Sequence, residues 1–140
     1  MSRRQQLIDA MVTRFAAITL MQGRVQVWPQ KLPTVAECPC IRLWDTVAEC
    51  DTQDTELGTQ RHTLHFEAVV FLGTVAQGVA ARTALDALLT AIGQDPYWSG
   101  LTDLPTRLDS HEIAVERFGQ LAGAAKLAYT VEYVTAAWQN

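Results

Sequence analysis

Two periodicities alternate along this chain. Leu7, Ile8, Met11, Val12, Phe15 and Ile18 recur at helical spacing, with Gln6, Asp9 and Arg14 on a wetter face. Ser2, with Gln5 three residues later, fits a capping box, and Gly23 is a natural stop. These positions predict a first helix. From Arg61 to Leu72 the period falls to two. Leu64, Phe66, Ala68, Val70 and Leu72 share one face, and Arg61, Thr63, His65 and Glu67 share the other, as in a half-buried strand. Val69 and Phe71 make the far end apolar on both faces, which predicts cover on both sides. Helical spacing returns in Val75, Val79, Leu85, Leu88, Leu89 and Ile92. Thr74 and Gln77 form a second capping pair, and Gly93 ends that helix before the Asp95-Pro96 turn. Gly78 would cost about 1 kcal/mol relative to Ala in the helix interior.

Shorter runs fill the gaps. Val25 to Trp28 reads as a strand ended by Pro29, and Pro33 and Pro39 break the next stretch. Ile41 to Trp44 reads as a second short strand, and residues 98–107 as irregular. A strand near Glu112 to Phe118 precedes a Gly119 to Gly123 turn. In the last strand Leu127, Tyr129, Val131 and Tyr133 alternate with Lys126, Ala128, Thr130 and Glu132, so the two strands should pair as a hairpin. The order predicts a two-layer α+β domain over residues 1–140. Its mixed or mostly antiparallel sheet has about four to five strands, with both main helices on one face.

Composition narrows the function. Hydrophobic residues make up 49% of the chain and charged residues 19%, which suits a folded domain. The net charge is -4, with no block of Lys or Arg to track phosphates, so nucleic-acid binding is not expected. No apolar run is long enough to span a bilayer. Ser2-Arg3-Arg4 leads into an amphipathic stretch rather than a signal sequence, so the chain reads as cytosolic where it is made. The three cysteines are an odd number, against a closed disulfide framework.

Residues 45–60 form a long acidic segment. Asp45, Glu49, Asp51, Asp54 and Glu56 occur there without a basic residue before Gly58, and the segment reads as a loop. It lacks the regular spacing of an EF-hand, so a solvated loop is preferred to a cation site. Cys38, Cys40, Cys50, His62 and His65 are the zinc candidates by residue type. Their spacing matches no finger, and His62 and His65 fall on opposite faces of the predicted strand. The ordinary reading has the cysteines as small buried hydrophobes. Asp109-Ser110-His111-Glu112 places triad residue types side by side, but triads meet through folding and no nucleophile elbow surrounds Ser110. No catalytic residue or cofactor site is assigned.

Contact surfaces are the remaining candidates. Arg3 and Arg4 sit at a helix start, which prefers anions; they read as a solvated chain start or as contacts to an acidic neighbour. Trp98 follows a turn and Trp138 lies near the C-terminus, where large aromatics act as interface anchors or fold back on the core. Nine of the eleven basic residues are Arg, whose planar fork suits interfaces.

Several stretches together resemble one family: MSRRQQLIDAMVTRF, RHTLHFEAVVF, ARTALDALLTAIGQDPYWSGL with a downstream TRL, and AYTVEYVTAAWQN. Across nearly the whole chain they resemble the tail terminator proteins of long-tailed bacteriophages and the related minor tail proteins of prophages. The resemblance implies a mixed sheet flanked by helices and self-assembly into a hexameric ring. The ring would cap the tail tube protein, end polymerisation, and offer a surface to a head-completion or connector protein. It also implies assembly in the host bacterial cytoplasm and a place at the head-proximal end of the virion tail. Such a protein has no catalytic residues; its working parts are faces. Asp51, Asp54 and Glu56 are then expected to face a ring lumen or a partner, where negative charge would let DNA slide. A head-tail connector is the structural alternative. A zinc-binding module or small metal-dependent enzyme is the alternative from another class, and a ligand-binding domain ranks last because no apolar pocket is readable.

Overall fold

The computed structural model describes residues 2–29, 31, 33–51, 58–73, 78–118 and 121–136. The first helix, α1, spans Arg3–Ala16 and buries Leu7, Ile8, Met11 and Phe15. Ser2 Oγ accepts from the Gln5 backbone N–H at 3.1 Å. The Gln5 side-chain amide donates to Asp9 Oδ1 at 2.9 Å. The helix stops before Ile18, in a short turn of Thr19–Met21. Gln22 (φ 51°) and Gly23 (φ 77°) then reverse the chain in left-handed conformation.

Five described strands form one sheet: β1 (Val25–Val27), β2 (Cys40–Asp51), β3 (Thr59–Phe71), β4 (Arg107–Phe118) and β5 (Leu121–Ala136). Their order is β1-β2-β3-β5-β4, with β1 parallel to β2 and every other pair antiparallel. The second helix, α2, spans Gly78–Gly93 between β3 and β4. This is the expected α+β fold with a mixed sheet.

One core joins the layers. Leu7, Met11 and Phe15 of α1 and Ala84, Leu85 and Leu88 of α2 meet Leu64, Phe66 and Val70 of β3 and Leu127, Tyr129 and Val131 of β5. Both helices therefore cover the same face. Burial alternates along β3 as its period predicts, until Phe71 continues the buried run. There Phe71, Cys40 and Ala124 form a second small cluster, with Cys38 and Val69 against it, which explains the doubly apolar strand end.

Several boundaries differ from the sequence reading. The acidic segment is not a loop from residue 45: β2 runs on to Asp51, with a bulge between Asp45 and Ala48. Pairing with β3 supplies the backbone hydrogen bonds that local propensity did not announce. The edge strand β4 begins at Arg107 rather than near Glu112, and β5 begins at Leu121 within the expected turn. In α2 the buried stripe includes Ala81, Ala84 and Ala91, whereas Val79 is 66% exposed. Gly78 is the first described residue of α2. The Thr74 and Gln77 capping pair lies outside the described residues.

Candidate assembly surfaces

The sheet has two unlike edges. At one end is β1, only three residues long, leading into Trp28. Trp28 has φ 50° and is 56% exposed, the most exposed aromatic side chain described. Its indole N–H donates to Asp45 Oδ1. The other Asp45 oxygen accepts from Arg4 Nε at 2.7 Å and from a second Arg4 nitrogen. Burial pushes the Asp45 carboxyl up, but the Trp28 and Arg4 donors outweigh it and hold the pKa below the ordinary aspartate value. A groove of about 480 Å³ runs between α1 and this edge, with Ile8, Val12, Val27 and Trp28 among its lining residues.

The other edge is β4, where Arg107 to Glu112 are exposed. Its exposed residues include the charged Arg107, Asp109 and Glu112, which discourage indiscriminate strand pairing. Leu104 and Leu108 are 43% and 45% exposed beside it. A shallow groove of about 350 Å³ is lined by Leu104, Pro105, Thr106, Arg107, Thr130 and Glu132.

Between the edges, the sheet face opposite the helices is polar and internally paired. Lys126 meets Glu67 at 3.2 Å, and Thr63 donates to Glu132 at 3.3 Å. Asp109 accepts from Thr130 and Arg107, with His65 Nδ1 3.8 Å away. Its carboxyl is pushed up by burial, but the Thr130 and Arg107 hydrogen bonds hold it below the usual value. Ser110 and His111 pair with successive residues Ala128 and Leu127, so they point to opposite faces of β4 rather than toward one reacting atom.

The other predicted residues separate. Arg3 donates to the Val134 carbonyl at 3.2 Å and lies over the Tyr133 ring, and Arg4 binds Asp45. These arginines are therefore not a solvated chain start. They tie α1 to the sheet, Arg3 through a β5 carbonyl and Arg4 through Asp45. Trp98 is not a surface anchor: it is fully buried, edge-on to Phe15, and donates to Thr106 Oγ1 at 2.8 Å. Asp51 ends β2 opposite Arg61. Asp54, Glu56 and Trp138 lie outside the described residues.

The zinc candidates divide into three places. Cys38 and Cys40 sit at the start of β2, and burial with the neighbouring Cys38 pushes the Cys40 thiol up to about 12. Cys50 and His62 meet at 3.2 Å near the other end of the strand, roughly 30 Å away at about 3.3 Å per residue. His65 faces the opposite side of the sheet, bonded to Thr130. Among the described residues no group of three or more His, Cys, Asp or Glu converges on a metal-sized position.

The residue that sequence reasoning missed is Trp28. Its place between a short strand and Pro29 was visible, but not that the strand is an edge. No described helix is long and apolar enough to cross a membrane. No protein-family model matches the chain, and no curated protein shows significant similarity to it.

Proposed function

We propose that this chain is a structural virion assembly protein, a ring-forming subunit of the tail-terminator kind. In this role it caps the tail tube, ends polymerisation and presents a surface for head joining. The supporting observation is the pair of unlike sheet edges, each with an exposed apolar anchor: Trp28 at β1, and Leu104 with Leu108 at β4. A cyclic ring closes through a heterologous contact, which needs two different patches on each subunit. A two-fold dimer would need only one self-complementary patch. The sequence resemblance to tail terminator proteins supplies the partners: further copies of the chain, the tail tube protein, and a head-completion or connector protein.

Light scattering coupled to gel filtration, across protein concentrations and with isolated tail tubes added, tests this directly. A ring, or a monomer that becomes a ring on tube ends, is expected. A chain that stays monomeric and leaves tubes uncapped overturns the proposal. A neck connector is the second reading, since the same two edges would serve it. Binding to isolated heads rather than to tubes selects that reading. The zinc-module alternative has less support, because Cys38 and Cys40 lie at the opposite end of β2 from Cys50 and His62.

A further inference from the structure

Three adjacent strands set up a thiol and a base that the assembly reading does not use. On β2, Cys50 is exposed and lies directly opposite His62 of β3. On β5, the Thr135 hydroxyl donates to the Ala136 carbonyl at 3.0 Å, so its oxygen serves as an acceptor. His62 Nε2 is 2.9 Å from that oxygen and supplies the proton. In the tautomer this pairing favours, with hydrogen on Nε2, Nδ1 carries a lone pair. Nδ1 is 3.2 Å from Cys50 Sγ, within reach to accept from the thiol in that tautomer. The His62 ring is stacked on Tyr133, centroids 4.9 Å apart and 15° from parallel, which restrains its rotation. Nucleophile, base and orienting third group are the parts of an activated thiol.

The surroundings fit the same chemistry. β1 pairs only with Ile41 to Leu43, so among the described residues no strand flanks β2 on that side at Cys50. The Arg3 guanidinium lies 5.9 Å from the centroid of the Tyr133 ring that backs His62, while Glu49 and Asp51 flank Cys50 in the chain, so the case for activation rests on the His62 contact. An exposed thiol beside a base can react, whereas buried cysteines are inert. Cys40, fully buried in the second apolar cluster, is the inert case in the same chain.

We propose that Cys50 is a nucleophilic thiol site, activated by His62, that takes small disulfides and forms a mixed disulfide with them. The thiol proton moves to His62 Nδ1, and the sulfur attacks one sulfur of the incoming disulfide. A new S–S bond to Cys50 forms as the old one breaks. The departing thiolate then takes the proton from His62. The disulfide is the only oxidant required, and the inference is independent of whether the chain forms a ring.

Reaction of the full chain with dithiobis(nitrobenzoate) at neutral pH, followed by absorbance and located by mass mapping, tests it. Cys50 should react about tenfold faster in the folded chain than in the urea-unfolded chain, and Cys50→Ser should remove the fast phase. His62→Gln should return the rate to the unfolded value, and Thr135→Val should lower it part of the way. A folded rate no faster than the unfolded one overturns the proposal, as does a folded His62→Gln protein with unchanged rate. Should His62→Gln fail to fold, the wild-type comparison and Thr135→Val decide alone.

Discussion

Two tryptophans on opposite flanks of α1 have the same local description and opposite fates. Trp28 and Trp98 both adopt positive φ, both follow short irregular or edge segments, and both donate an indole N–H to their own chain. Each is coupled to an arginine of the same helix: Arg4 reaches Trp28 through Asp45, and the Arg14 guanidinium lies 4.0 Å over the Trp98 ring. Yet Trp98 is fully buried and Trp28 is 56% exposed. The difference is what stands behind the ring. Trp98 is backed by Phe15 and capped by Arg14, which also donates to the Asp95 carbonyl at 2.6 Å and the Ala91 carbonyl at 3.4 Å. Among the described residues, Trp28 follows the three-residue β1 at the end of the sheet. An aromatic at the end of the sheet stays open, and one inside the helix layer closes the core.

The sharpest way to break this comparison is truncation of each ring. Trp98→Ala should cost about 3–5 kcal/mol, the usual loss for a buried large aromatic, read as a shift in the urea midpoint. A loss near that of a surface site would remove Trp98 from the core. Arg14→Met keeps the apolar stem but leaves the carbonyls at the end of α2 without their cation. A loss of about 2 kcal/mol is expected by the same measurement.

Asp45 separates the two corners by pH. Its folded pKa lies below its unfolded value, so its stabilising contribution is present above the unfolded value of about 3.9 and is lost as pH falls through the folded one. Asp45→Asn should therefore be less stable by about 1–2 kcal/mol at neutral pH, with the gap to wild type closing in acid. A gap constant from neutral pH to strong acid would mean that charge is not what holds Arg4 and Trp28 together. The smallest folding effect belongs to Trp28→Ala, about 1 kcal/mol or less, because Arg4 still pairs with Asp45. The same substitution should abolish self-association in light scattering if Trp28 anchors the ring. Intact assembly would move the contact to another face.

The strongest periodic segments are legible in the sequence. The interior of α1, the alternation of β3 and the β4–β5 hairpin all follow from side-chain spacing, because helices and strands present every fourth or every second residue to a core. The candidate surfaces are less legible. Arg3 and Arg4 violate the helix-dipole preference, and the violation marks real partners, but what they meet, a carbonyl and ring of β5 for Arg3 and Asp45 for Arg4, depends on strands many residues away. The acidic stretch from Asp45 to Asp51 has the composition of a loop and the structure of a strand, since β3 supplies a partner for its backbone.

The sequence by itself determined the fold class, the buried faces of α1 and β3 and the absence of a phosphate-tracking basic stripe, all properties of local periodicity and charge. Tertiary structure alone decided which strands are edges and which tryptophan stays in water. It also decided that Cys50, His62 and Thr135 form one relay while Cys38 and Cys40 stand apart. Those outcomes depend on register between strands distant in the chain, and a shift of one residue would turn every one of these side chains to the other face.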